Sequence, residues 1–151
     1  MPLTIYQASA GSGKTFKITE EYLTLLFRKP NIYKNILAVT FTNKATAEMK
    51  QRILKELSDL SNQRPSPYLK RLSAHFNRSE NQIRDEAGSI LKSILHDYSR
   101  FSVETIDRFF QRILRSFVKE INLQGTFSIE LDQNRVLSEA IEHLLLTLQD
   151  D

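Results

Sequence analysis

The chain of 151 residues contains no cysteine. That removes a disulfide framework, a thiolate zinc site and a cysteine nucleophile, and nothing requires an oxidising compartment. No apolar run approaches the roughly 20 residues that span a bilayer. Met1 to Tyr6 carry no basic leader and run straight into a glycine loop, so neither export nor membrane insertion is indicated and the expected compartment is the cytoplasm. Internal repeats and low-complexity segments are absent as well. The formal charge is only +3, with a pI near 9.2. This balance suits a polyanionic partner, yet it comes without a tail of clustered basic residues. What is present is 40% hydrophobic and 26% charged residues, enough for one ordinary core and one soluble domain.

The hydrophobic pattern alternates between strand and helix periods. Leu3 to Gln7 reads as a short strand, and after the glycines Phe16, Tyr22, Leu23 and Leu26 keep helical spacing until Pro30. Ile36-Leu-Ala-Val-Thr-Phe41 is almost continuously apolar, as expected of a strand covered on both faces of a parallel sheet. Ala45, Met49, Ile53, Leu57 and Leu60 then recur every three or four residues, which predicts a second helix. Two β-then-α units in succession argue for an α/β fold. The stretch 61–67 contains two prolines and no core-forming residue, so an insertion starts here. Its first helix is expected at 68–76. Its second begins at Ser79 with Gln82 three residues on, a capping box, followed by a stripe of Ile83, Ala87, Ile90, Leu91, Ile94, Leu95 and Tyr98. Phe101 to Thr105 alternates like a strand, and Ile106, Phe109, Phe110, Ile113, Leu114, Phe117, Val118 and Ile121 follow at helical spacing. Phe127 to Leu131 alternates again before Asp132, which is expected to cap a last helix carrying Val136, Leu137, Ala140, Ile141, Leu144, Leu145 and Leu148.

The chemistry concentrates in Ala8-Ser-Ala-Gly-Ser-Gly-Lys-Thr15. This string fits the P-loop pattern G-x-x-x-x-G-K-[ST], with Ala8 in place of the first glycine. Gly11 and Gly13 allow backbone conformations that turn successive N–H groups, from Ala8, Ser9, Ala10 and Ser12 onward, toward phosphate oxygens. The helix that follows, through Phe16, offers its positive end to the same charge. Lys14 adds a point charge for the β and γ phosphates, and the Thr15 hydroxyl suits Mg²⁺, a hard cation that seeks oxygen. The cofactor expected here is a nucleoside triphosphate with Mg²⁺. Hydrolysis also needs a carboxylate at the end of a buried strand and a group that positions water. The nearest candidates are Glu104 with Asp107 and Glu130 with Asp132. Their strands alternate with polar residues, and the two aspartates fit better as helix-start residues. The catalytic half is expected to be missing. His75, His96 and His143 lack metal-ligand spacing and read as structural or surface residues.

Gln7-Ala-Ser-Ala-Gly-Ser-Gly-Lys-Thr-Phe16 resembles motif I of the UvrD/Rep superfamily 1 DNA helicases, in the RecB-like and AddA-like branch, where Ala8 is normal. Ile36 to Met49 is similar to motif Ia of that family, and Phe101-Ser-Val-Glu-Thr-Ile-Asp-Arg-Phe-Phe110 to its motif Ib. The resemblance implies a P-loop NTPase, a partial RecA-like motor domain with a parallel sheet and a helical insertion. It implies ATP and Mg²⁺ as cofactors and single-stranded DNA as a partner, in DNA repair or recombination. By the same resemblance, Phe41 contacts a base, Thr42 and Asn43 bind a phosphate, and Thr105 and Asp107 lie where the family grips DNA phosphate; Asp107 departs from that task, since a carboxylate repels phosphate, and is expected to cap the helix instead. Read from the residues alone, Phe41 fits a buried strand end equally well, and Phe109 and Phe110 fit the core better than base stacking. Arg108, Arg112, Arg115 and Lys119 form either a solvated face or a DNA-backbone contact.

These readings divide the chain into a motor core with motifs I and Ia (1–60), a helical insertion (61–100), motor core with motif Ib (101–125) and the start of a helical accessory segment (126–151). The Walker B strand, glutamine switch and arginine fingers of the family lie downstream of these motifs, so the chain is expected to be an N-terminal piece. It would bind nucleotide without hydrolysing it, its further partner being the rest of the same polypeptide, with a second motor domain and a possible nuclease domain. Two readings from other classes stand beside this one: a P-loop kinase or other small-molecule phosphotransferase, and a nucleotide-responsive DNA-binding module. Thr-Phe-Thr-Asn-Lys-Ala has no acceptor-binding logic, which weighs against the first.

Overall fold

Helix periodicity dominates the sequence, and the computed structural model is correspondingly mostly helical. It describes residues 3–6, 13–29, 31–120, 134–135 and 137–142. Helix α1 (Lys14–Leu26) leads through a 3₁₀ turn (Ile32–Asn35) to strand β1 (Ala38–Thr40) and helix α2 (Asn43–Ser61). Residues 61–100, expected as an insertion, contribute α3 (Leu69–Phe76) and α4 (Glu80–His96), and a second 3₁₀ turn (Tyr98–Arg100) precedes β2 (Val103–Thr105) and α5 (Ile106–Glu120). The described strands β1 and β2 pair in parallel, with Ala38 opposite Val103, Val39 opposite Glu104 and Thr40 opposite Thr105. The parallel α/β expectation therefore holds for this pair. The chain divides into two compact units, Met1–Phe109 and Phe110–Asp151.

The first unit is built on the buried stripe of α2, Ile53, Leu57 and Leu60, facing Ile83, Ala87, Ile90 and Ile94 of α4. Tyr22, Leu23, Leu26 and Phe27 close the core from α1, Tyr68, Leu69 and Leu72 from the insertion, and Phe101 and Val103 from β2. The helices of 61–100 thus share one core with the P-loop helix. At Gly88 a methyl would meet the Ser61 Cβ at 3.4 Å, an ordinary van der Waals contact, so the end of α2 lies beside the middle of α4. The Ser79 capping box forms as expected. Ser79 Oγ accepts from the Gln82 N–H at 3.3 Å and the Ser79 N–H donates to Gln82 Oε1 at 2.8 Å.

Several expectations are corrected. Leu3 to Tyr6 form no strand, and Leu3 is 86% exposed with Ile5 also in solvent; an extended segment becomes a strand only where a neighbouring backbone completes its ladder. β1 is not covered on both faces, because Leu37 and Val39 are exposed while α2 packs on the sheet. Leu95 and Tyr98 lie outside the buried stripe of α4. Along α5, Ile106, Phe110, Leu114 and Phe117 are exposed and Phe109 and Ile113 half-buried. Residues 137–142 are helical with Leu137 and Ile141 exposed. The expected strand at 127–131, the Asp132 cap and His143 lie outside the described residues.

Candidate nucleotide and nucleic-acid site

The P-loop enters the described structure at its last glycine; Ala8, Ser9, Ala10, Gly11 and Ser12 lie outside the described residues. Gly13 is the N-cap of α1 and sits in the left-handed region with φ 80° and ψ 15°. That conformation costs a residue with a Cβ about 1–2 kcal/mol, which explains glycine at this position. Gly13 has no side chain with which to cap the helix, and no acidic residue lies in the first turn. α2, α4 and α5, in contrast, are capped by Thr42, Ser79 and Thr105. Among the described residues no side chain caps the start of α1, and a helix N-terminus carries partial positive charge. Lys14 and Thr15 are the first two helical residues and both are exposed. The Thr15 carbonyl accepts from the Thr19 hydroxyl at 2.7 Å, and Phe16 stacks on Tyr68 with ring centroids 4.6 Å apart.

Behind this turn lies an ion-pair cluster. Lys17 reaches Glu20 at 3.0 Å and Glu21 at 3.1 Å, and Arg71 reaches Glu20 at 2.9 Å. Burial raises the Glu20 carboxyl, but hydrogen bonds from Lys17 and Arg71 outweigh it and hold the group below its ordinary 4.5. Hydrogen bonds from Lys17 and Tyr6 lower Glu21 in the same way. A carboxylate with a depressed folded pKa contributes stability above its unfolded pKa, and that stability is lost as pH falls through the folded value. The melting temperature should therefore decline as pH drops below 4.5. Glu20→Gln should flatten the decline; equal pH slopes in a thermal melt series would contradict this role for the cluster.

The second group of residues forms at the carboxyl ends of the paired strands. Because Thr40 stands opposite Thr105, the segment Phe41, Thr42, Asn43 and the segment Ile106, Asp107, Arg108 leave the sheet side by side. In open α/β sheets this is the end where ligands bind. Phe41 is 87% exposed, so the buried-strand-end reading is excluded. Thr42 caps α2, its Oγ1 accepting from the Ala45 N–H at 3.1 Å, and Asn43 opens the helix in solvent. Thr105 caps α5, its Oγ1 accepting from the Arg108 N–H at 3.3 Å. Asp107, expected as the cap, lies within the first turn and is exposed; Thr105 stands closer to the strand end and takes the role first. Arg108, Arg112 and Arg115 are exposed, while the side chain of Lys119 lies outside the described structure.

Sequence reasoning missed the threonines that stiffen this edge. The Thr40 hydroxyl donates to the Thr42 carbonyl at 3.1 Å and lies 2.6 Å from the Thr46 hydroxyl, which itself donates to the Thr42 carbonyl at 3.2 Å. The recurrence of threonine at 40, 42 and 46 around a strand end was the available signal, since short hydroxyl side chains compete for backbone groups at such junctions. Among the expected carboxylates, Glu104 is only 8% exposed in the middle of β2 and Glu130 and Asp132 are outside the described residues. Among the described residues no cluster of three or more His, Asp or Glu side chains could hold a metal ion. His75 and His96 are exposed, and no described helix is long and apolar enough to cross a membrane.

Comparison with known proteins supplies the family. Residues 2–151 match the UvrD/REP helicase N-terminal domain. The chain is 30% identical over 131 residues to an ATP-dependent helicase/nuclease subunit from Lactobacillus johnsonii, covering 87% of this chain and 9% of that protein. The corresponding protein of Lactobacillus gasseri matches at the same identity and coverage. The ATP-dependent DNA helicase PcrA of Staphylococcus aureus is 50% identical over 58 residues, 38% of this chain and 8% of PcrA. The chain thus spans less than a tenth of the length of these relatives. No solved structure matches it. With the matched region running over nearly all of its length, the chain belongs to the UvrD/REP helicase family, in which it corresponds to the N-terminal domain.

Proposed function

We propose that this chain is the ATP-binding N-terminal part of an ATP-dependent DNA helicase or translocase acting in DNA repair or recombination. By itself it binds nucleotide without hydrolysing it. Residues 8–13, with Phe16 behind them, shape the phosphate cradle; Lys14 pairs with the β and γ phosphates, and Thr15 holds Mg²⁺ through its hydroxyl. The bound Mg²⁺ would neutralise triphosphate charge. Single-stranded DNA lies along the carboxyl ends of β1 and β2. There Phe41 stacks on a base, while Thr42, Asn43, Thr105 and Arg108 hold the backbone through helix-start N–H groups, hydroxyls and one guanidinium. The rest of the polypeptide, with a second motor domain, supplies the opposing wall of the nucleotide cleft, and a nuclease domain belongs to the same chain, as the helicase/nuclease name of a relative suggests.

The observation that carries the DNA reading is the exposure of Phe41 beside two threonine-capped helix starts aligned by the strand register. An aromatic ring in solvent next to helix-start N–H groups matches a single-strand site, which needs a stacking platform and backbone grips without base readout. The test is fluorescence anisotropy with a labelled single-stranded oligonucleotide at several salt concentrations. Phe41→Ala should weaken binding about tenfold, the scale of one base–aromatic stack. Affinity should also fall steeply with salt. An unchanged affinity in the variant, or one indifferent to salt, would remove this edge from the DNA path.

A further inference from the structure

We infer that Tyr68 and Arg71, both contributed by the insertion, are positioning residues for the phosphate-binding end of α1, acting through Phe16 and Glu20. The inference rests on the nucleotide reading given above and names what holds that site in place. α1 starts with little anchorage of its own: Lys14, Thr15 and Ile18 are exposed, Phe16 and Lys17 half-buried, and Thr19 is its first buried residue. Exposed first turns open readily, yet a phosphate site must hold its donors to within about half an ångström. Phe16, immediately after Thr15, is where the turn is tied down. Its ring stacks on Tyr68 at 4.6 Å with an interplanar angle of 21°, and the Arg71 guanidinium carbon lies 5.2 Å from the same centroid.

The holding groups are themselves fixed. Tyr68 is 1% exposed. Its N–H donates to Ser66 Oγ at 3.3 Å, and the Ser66 hydroxyl donates to Glu56 Oε2 of α2 at 2.8 Å. Arg71 Nη1 donates to Glu20 Oε1 at 2.9 Å, and Lys17 donates to the other oxygen of that carboxylate at 3.0 Å. A single half-shielded carboxylate thus joins α1 to α3, one turn behind the phosphate residues. The insertion is therefore part of the nucleotide site's frame rather than a separate attachment.

The test compares ATP and ADP affinities, measured by titration with Mg²⁺ on the 151-residue chain and its variants. Displacing α1 moves Lys14 away from the terminal phosphate and lowers ATP affinity more than ADP affinity, whereas a general loss of folded protein lowers both alike. Tyr68→Leu keeps the position apolar but removes the ring, and should reduce the ATP-to-ADP ratio about fivefold, the scale of a lost aromatic pair. Tyr68→Phe keeps the stack but gives up the hydroxyl's 3.5 Å contact with the Phe16 carbonyl and its hydrogen bond with Thr19, so its ratio should fall less than that of Tyr68→Leu, and the difference between the two reports the ring. Arg71→Ala alters a largely exposed side chain and should lower the ratio about threefold. If Tyr68→Leu does not fold, Arg71→Ala decides alone. An unchanged ratio in the folded variants overturns the inference. Failure of the unmodified chain to bind either nucleotide overturns the nucleotide reading and this inference with it.

Discussion

Lys14→Ala should weaken ATP binding by about a hundredfold or more, corresponding to roughly 2.7 kcal/mol, while leaving the melting temperature unchanged. The two halves of this expectation have separate causes. Lys14 is the first residue of α1, beside a glycine in the left-handed region and in a first turn without acidic residues, so its charge adds to a helix end already suited to phosphate. Hydrogen bonds to charged groups contribute about 1.5–3 kcal/mol each, which sets the size of the loss. Stability is spared because Lys14 is exposed and lies outside the hydrophobic core. Calorimetric titration with Mg²⁺ and ATP checks the first half and a thermal melt the second. Undiminished binding in the variant would exclude the P-loop as the nucleotide site.

The largest stability effect should come from Leu57→Ala. Leu57 is fully buried on the α2 stripe that faces α4, amid the core shared by α1, the insertion and β2. Truncating such a leucine removes its transfer free energy and leaves a cavity, a loss of about 2–5 kcal/mol. Against a total of roughly 5–15 kcal/mol for a domain, that is a substantial fraction. Leu95→Ala provides the contrast: Leu95 is an exposed residue of α4, so its loss should stay within about 0.5 kcal/mol. Urea titrations of the two variants test the assignment of the core, and similar midpoints for both would mean that α2 and α4 do not meet along this stripe.

Features governed by local chemistry were legible in the sequence. The Ser79 and Gln82 capping box needs only residues three apart, and the Ile53, Leu57 and Leu60 spacing marks the buried face of α2 whatever packs on it. The helix start at Lys14 was legible because a glycine that tolerates left-handed backbone stands just before a run at helical spacing. What the sequence obscured depended on neighbours. A nearly continuous apolar strand is expected to be covered twice, yet Val39 is exposed, since coverage depends on what the rest of the fold places there. Thr105 and Asp107 are both competent caps two residues apart, and propensity alone does not choose the register. Phe41 ends an apolar run, and whether it is buried or exposed depends on neighbours the sequence does not name; in the fold it is exposed. The Phe16–Tyr68 stack joins positions 52 residues apart, and no spacing rule reaches that far.

The parallel pairing of β1 with β2 also bears on how the molecule comes together in time. The helices between the strands can form and begin to pack through contacts close in sequence, but the two strands meet only across roughly 60 intervening residues, a closure whose chain entropy is on the order of 4 kcal/mol. Contacts of such long range form late and slow the overall reaction. Thr42 and Thr105 become neighbours only when that closure is complete. The edge proposed to bind DNA therefore exists only once that long-range pairing is made, which ties it to the slowest-forming kind of contact in the chain.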